Sequence, residues 1–214
     1  MPSPLPHYIK DGKSIYQRSF AIIRAEADLR RFPPAMERVA VRMIHACGMV
    51  DIAANICFSP QAAEYGRTAL RAGAPILCDS RMVANGITQA RLPKQNRIIS
   101  MLDTPNLAEA AASRGLTRSA AALDFHRREM NGALIAIGNA PTALFRLLEM
   151  LAEPNPPQPA LILGLPVGFV GAAEAKQALT EHHGDIPFIS LRGRRGGSAI
   201  TAAAINALAQ EAEI

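Results

Sequence analysis

The sequence contains no tryptophan, and aromatic residues fill only 5% of its 214 positions. A protein that holds single-stranded nucleic acid by stacking needs more aromatic platforms than this. Lysine is also scarce: of 23 basic residues four are lysines (Lys10, Lys13, Lys94, Lys176) and 19 are arginines. Only three cysteines occur, Cys47, Cys57 and Cys78, and no two of them form a CxxC pair. Such an odd, scattered set fits a reduced, cytoplasmic setting, and it gives neither a disulfide framework nor a zinc site. Long hydrophobic runs are missing as well. The stretch 154–173 is uncharged, but prolines and glycines interrupt it too often for a membrane helix. The first ten residues show no basic region followed by an apolar core, so no signal peptide is expected.

What is present is an apolar, weakly charged chain. Hydrophobic residues make up 49% and charged residues 19%, enough for a packed core and against disorder. The net charge of +5 is modest, and no nucleic-acid-binding motif accompanies it. A GC-rich coding sequence would by itself produce the arginine bias. Arginine nevertheless offers a planar fork that suits carboxylates and phosphates.

Short apolar strands alternate with amphipathic helices. Asp11-Gly12 reads as a turn, and Ser14 with Gln17 as a capping box that opens a helix over 15–29. Tyr16, Phe20, Ile23 and Ala27 form its apolar stripe, with Ser19 on an adjoining face. A second helix is predicted over 35–47, stopped by Gly48. Ser59-Pro60, Thr104-Pro105 and Thr117 read as later helix starts. Strands are predicted over 75–79, 97–102, 133–137, 160–163 and 187–191, and further helices over 141–153, 172–182 and 198–210. The pattern implies one α/β domain over residues 1–214, with three layers: a mostly parallel sheet flanked by helices on both faces.

Three predicted strands end in glycine-bearing loops that lead into helices: 138–142, 164–171 and 192–198, the last with Arg192, Arg194 and Arg195. Helix starts of this kind favour an anion, although glycines also simply make tight turns. No G-x-G-x-x-G, P-loop, G-x-S-x-G or H-E-x-x-H motif is present, which argues against a nucleotide enzyme, a serine hydrolase and a metal site. Of the five histidines, His7, His126, His182 and His183 read as solvated or structural. His45 differs, because Arg38 and Arg42 share its helix face. A helical histidine is more often a packing residue, yet an imidazole beside fixed charge also suits proton transfer near neutral pH.

Val41-Arg42-Met43-Ile44-His45-Ala46-Cys47-Gly48 resembles the signature of the precorrin-8X methylmutase family. The segments 18–26, 74–79, 117–121, 137–144, 166–172 and 192–198 resemble further blocks of that family in order, so the likeness spans about 8–208. The resemblance implies a cobalamin-pathway isomerase that moves a methyl group from C-11 to C-12 of a modified tetrapyrrole, giving hydrogenobyrinic acid or its cobalt counterpart. It implies no organic cofactor. It also implies a homodimer with each active site near the subunit interface. The family's proton-handling histidine falls on His45, and its substrate contacts on Ser19 and Arg42; Arg118 and the Arg192/Arg194 loop are further candidates for substrate binding, which read equally well as surface arginines near helix starts. A non-catalytic carrier of the corrinoid product is the competing expectation, and turnover separates the two.

Overall fold

The structure is a computed structural model that describes residues 7–210. The stretch 1–6, which includes most of the segment judged to lack a signal peptide, lies outside the described residues, as does 211–214.

Six strands form one sheet: β1 (Ile56–Phe58), β2 (Ile76–Cys78), β3 (Ile98–Ser100), β4 (Leu134–Ile137), β5 (Leu161–Gly164) and β6 (Phe188–Leu191). Their order is β1-β6-β5-β4-β2-β3, parallel throughout except for the antiparallel edge pair β1–β6. Nine α-helices cover it: α1 (Gly12–Glu26), α2 (Pro34–Cys47), α3 (Ala62–Arg71), α4 (Arg81–Gly86), α5 (Leu107–Ser113), α6 (Arg118–Phe125), α7 (Pro141–Leu151), α8 (Ala172–His182) and α9 (Ser198–Ala209) among the described residues.

Alternation along the strands builds two cores. Leu134, Ala136, Leu161, Leu163, Ile189 and Leu191 point to the side covered by α1, α2, α3, α4 and α9. Their neighbours Ile135, Ile137, Ile162 and Phe188 point to the side of α5, α6, α7 and α8. A period of two with both faces apolar is what a sheet buried between helical layers requires. The expected three-layer α/β architecture is therefore present.

Several boundaries differ from the sequence reading, each for a local reason. The helix start assigned to Ser14 belongs to Asp11, whose carboxylate accepts from both the Ser14 N–H (2.7 Å) and the Ser14 hydroxyl (2.6 Å). Ser59 does not cap α3: its Oγ accepts the Phe188 N–H at 3.0 Å and so serves the sheet, while Gln61 opens the helix. The helix expected after Thr104 begins at Leu107, because Thr104 Oγ1 turns to the Met101 carbonyl and His126. Strand β1 and helix α4 were not anticipated; both are short, and β1 follows a 3₁₀ turn that blurs its period.

The sheet order reverses at β2, which lies between β3 and β4, and loops diverge there. Asp79, fully buried just past β2, spans this point. Its carboxylate accepts from the N–H groups of Gly138 (3.0 Å), Asn139 (2.8 Å) and Ala140 (2.7 Å) at the start of α7. The N–H groups of the first glycine-bearing loop, read as a site for an external anion, are thus taken by the protein's own carboxylate. Burial pushes the Asp79 carboxyl up from its ordinary value, and the three N–H bonds oppose that. Asp79→Ala is expected to cost about 2–4 kcal/mol, because buried donors lose their acceptor. Thermal unfolding should register this as a drop of about 2–4 °C per kcal/mol for a chain of this size, and Asp79→Asn should fall between wild type and Asp79→Ala.

Candidate active site

The last turn of α2 carries His45, and α1 brings Ser19 to it. Ser19 Oγ lies 2.8 Å from His45 Nδ1. Helical spacing explains the meeting: Tyr16, Ser19, Phe20 and Ile23 recur every three or four residues on α1 and share the side that packs on α2. The Tyr16 and Phe20 rings lie 5.1 and 5.3 Å from the imidazole, centroid to centroid, the Phe20 ring edge-on. Arg42, one turn before His45, is buried to 9% exposure. Its guanidinium carbon sits 5.6 Å from the Tyr16 ring centroid and 5.2 Å from that of Phe20, a geometry of cation–π attraction that fixes the fork.

The electrostatics follow from this packing. Burial, and after it the Arg42 charge, holds the His45 imidazole below its ordinary value of 6.5. Both causes favour the neutral ring. When the Ser19 hydroxyl donates to Nδ1, the single ring proton sits on Nε2, and the histidine is poised as a hydrogen-bond donor through that nitrogen.

His45 stands between two clefts. One, of 360 Å³, is bordered by Ser19, Arg18, Ile15, Ile22 and Val50. The other, of 250 Å³, is bordered by Tyr16, Arg42 and the small residues Ala199, Ala202 and Ala203 of α9. Alanines on that stretch of α9 leave the space open. Gly86 lets α4 close on α9 beside it, since a Cβ there would lie 2.7 Å from that of Ala202. A larger depression of 780 Å³ lies elsewhere, between the ends of α7 and α8. Glu149, Glu181 and Asp185 border it, the wrong sign for a polyacid.

A family model described as precorrin-8X methylmutase matches residues 14–211. The chain belongs to the precorrin-8X methylmutase family. It is 56% identical over 206 residues to the precorrin-8X methylmutase of Pseudomonas aeruginosa, covering 96% of this chain and 99% of that one. It is 38% identical over 209 residues to the cobalt-precorrin-8 methylmutase of Salmonella typhimurium, covering 94% and 96%. The precorrin-8X methylmutase structure from Thermus thermophilus superposes with a TM-score of 0.84 at 39% identity, covering 92% of this chain and 95% of that one. As a member of this methylmutase family, the protein is an isomerase of cobalamin biosynthesis.

The other sequence-predicted residues of this methylmutase-family chain are placed as follows. Arg118 opens α6 and is exposed. It lies in the layer on the opposite face of the sheet and borders neither His45 cleft. Arg194 stacks 5.3 Å from the exposed Phe169 ring, and Arg192 is exposed. Arg195 instead pairs with Asp51 at 2.6 Å. His126 bonds Thr104 and Glu129, and His183 bonds the Ile186 carbonyl, so both are structural as expected. Burial pushes the thiols of Cys57 and Cys78 up, away from nucleophilic use. Among the described residues no helix is long and apolar enough to cross a membrane, and no three His, Cys, Asp or Glu side chains are grouped to hold a metal ion. Sequence reasoning missed the contribution of α9; its run of alanines was the available signal.

Proposed function

We propose that this isomerase moves the methyl group of precorrin-8X from C-11 to C-12 with His45 as the polarising acid, and that it releases metal-free hydrogenobyrinic acid. The observation that carries the reading is the joint placement of Ser19, His45 and Arg42 at the edge of two open clefts. The shift is a 1,5-sigmatropic rearrangement within one molecule: the bond from carbon to C-11 breaks as the bond to C-12 forms. No electrons enter or leave, so the protein has only to bind, orient and polarise. Arg42 holds a peripheral carboxylate by a charge-assisted fork. His45 donates through Nε2 to the conjugated system beside the migrating carbon, and Ser19 fixes the ring and its tautomer. Identity supports the metal-free substrate. The chain is 56% and 58% identical to relatives named for precorrin-8X, and 31–38% identical to those named for the cobalt form.

Neither cleft alone suits a macrocycle, since ligand pockets for smaller molecules already span roughly 300–1,000 Å³. Ile15 and Ile22 at the rim of the first are about 45% exposed. A second copy of the chain covers them and supplies Arg118 from its own α6, completing a site at the dimer interface. Mixing inactive His45→Ala and Arg118→Ala chains should then restore turnover, because one site in the mixed dimer has both residues intact. A monomer by sedimentation, or no restored turnover, would refute that arrangement.

The test of function is incubation of the purified protein with precorrin-8X and with its cobalt counterpart, followed by visible spectroscopy and mass spectrometry. Conversion of the metal-free substrate to a product of equal mass is expected, with a higher kcat/KM than for the cobalt form. Tight product binding without turnover would make the protein a carrier instead.

A further inference from the structure

Lys176 is the one lysine that the fold buries, at 1% exposure, on the first turns of α8. Among the described residues no carboxylate lies within ion-pairing distance of it. Its Nζ donates to the Arg195 carbonyl at 2.5 Å. Burial brings the ammonium down to about 8, and the neighbouring Cys57 thiol only partly offsets this. A buried cation without a counter-ion costs stability, so its retention asks for a role beyond packing.

The carbonyl it holds lies in the middle of the loop 192–197. The rest of that loop is fastened on every side. The Arg192 N–H donates to the Asn55 carbonyl (2.9 Å), the Arg194 carbonyl accepts the Gly168 N–H (3.1 Å), and the Gly197 N–H donates to the Leu165 carbonyl (2.8 Å). Gly196, at φ 158°, passes so close to the 165–166 backbone that a Cβ would lie 2.3 Å from the Leu165 oxygen. From this loop two paths lead to the site. The Arg195 side chain reaches Asp51 (2.6 Å) and the Met49 sulfur (3.8 Å), on either side of Val50, which borders the first His45 cleft. The chain also runs directly into α9, whose Ala199 borders the second.

We propose that Lys176 is a positioning residue: it clamps the loop 192–197 so that a wall of each His45 cleft stands where the polyacid substrate needs it. The proposal rests on the reading of that cleft as the substrate site. Lys176 touches no substrate; it acts through the Arg195 carbonyl and sets binding rather than the proton-donating step.

The experiment uses the full chain and compares wild type with Lys176→Met, which keeps the side chain's length and removes its charge and donors. Asp51→Asn, on the exposed end of the same latch, is the second variant. Trypsin nicking after Arg192, Arg194 and Arg195, read by mass spectrometry, reports the order of the loop without any substrate. For Lys176→Met nicking should accelerate at least tenfold, and KM for precorrin-8X should rise about tenfold with kcat within twofold. Its melting temperature should stay at or above that of wild type. Asp51→Asn should raise KM about threefold. Unchanged nicking and KM in both variants would overturn the proposal, as would a fall in kcat at constant KM. If Lys176→Met opens the loop while His45→Ala turns over normally, the clamp stands and the reading of the cleft fails.

Discussion

Replacing His45 with alanine should lower the kcat for precorrin-8X by ~10²–10⁴-fold, the range a positioned acid supplies. The fold should survive, because the imidazole is half-buried at a cleft edge and its loss orphans only the exchangeable Ser19 hydroxyl. His45→Asn separates shape from chemistry. It keeps a polar group within reach of Ser19 but has no titrating proton, so it should be nearly as slow as the alanine variant. Product affinity should change little in either, since the carboxylate contacts lie elsewhere. Single-turnover kinetics with circular dichroism as a fold control would check this. A folded alanine variant with near-wild-type kcat would remove His45 from the mechanism.

Arg42→Ala should act on binding and on the imidazole together. A charge-assisted fork to a carboxylate is worth about 1.5–3 kcal/mol, so KM or the product Kd should rise roughly 10–100-fold. Arg42→Lys should recover only part of this, because an ammonium cannot present two parallel donors. The same substitution lifts a repulsion from His45. Burial still holds the ring below 6.5, but the second cause of the depression is gone. The pH limb that reports His45 should therefore move upward in Arg42→Ala. Stability follows the same linkage. A histidine whose folded value is depressed binds protons more readily in the unfolded chain. It contributes most above the unfolded value of ~6.5, and that contribution is lost as pH falls below it. Unfolding midpoints across this window should show a shallower acid slope for His45→Asn than for wild type. An unshifted pH limb in Arg42→Ala would mean that the two groups do not interact.

Much of this architecture was legible in the chain, and the exceptions have physical causes. Strands β2, β4, β5 and β6 announced themselves because both their faces are buried and their runs are mostly apolar. Strand β1 did not, since three residues after a 3₁₀ turn carry no period. Asp11 outcompeted Ser14 as the cap because its carboxylate meets both the Ser14 N–H and hydroxyl. Within the site, the spacing of Arg42 and His45 placed them on one helix face, whereas Ser19 stood on a face adjoining the α1 stripe and entered through the family resemblance; its contact with His45 is a finding of the structure. What spacing could not show is that α9 supplies the opposite wall, or that Asp79, 59 residues before Gly138, fills a helix start that looked open to a ligand. Both are contacts between segments distant in sequence, fixed by sheet order. Arg118 is the clearest case: its side of the sheet, away from both His45 clefts, is a property of the fold that spacing along the chain does not carry.

The most direct test of the central claim is the titration of the His45 ring by NMR, without and with hydrogenobyrinic acid. The account predicts a value below 6.5 in the free protein, and a rise on binding as ligand carboxylates offset the Arg42 charge. Product binding near pH 7 should then be accompanied by proton uptake, absent in His45→Asn. A ring that titrates identically with and without the product would contradict the account.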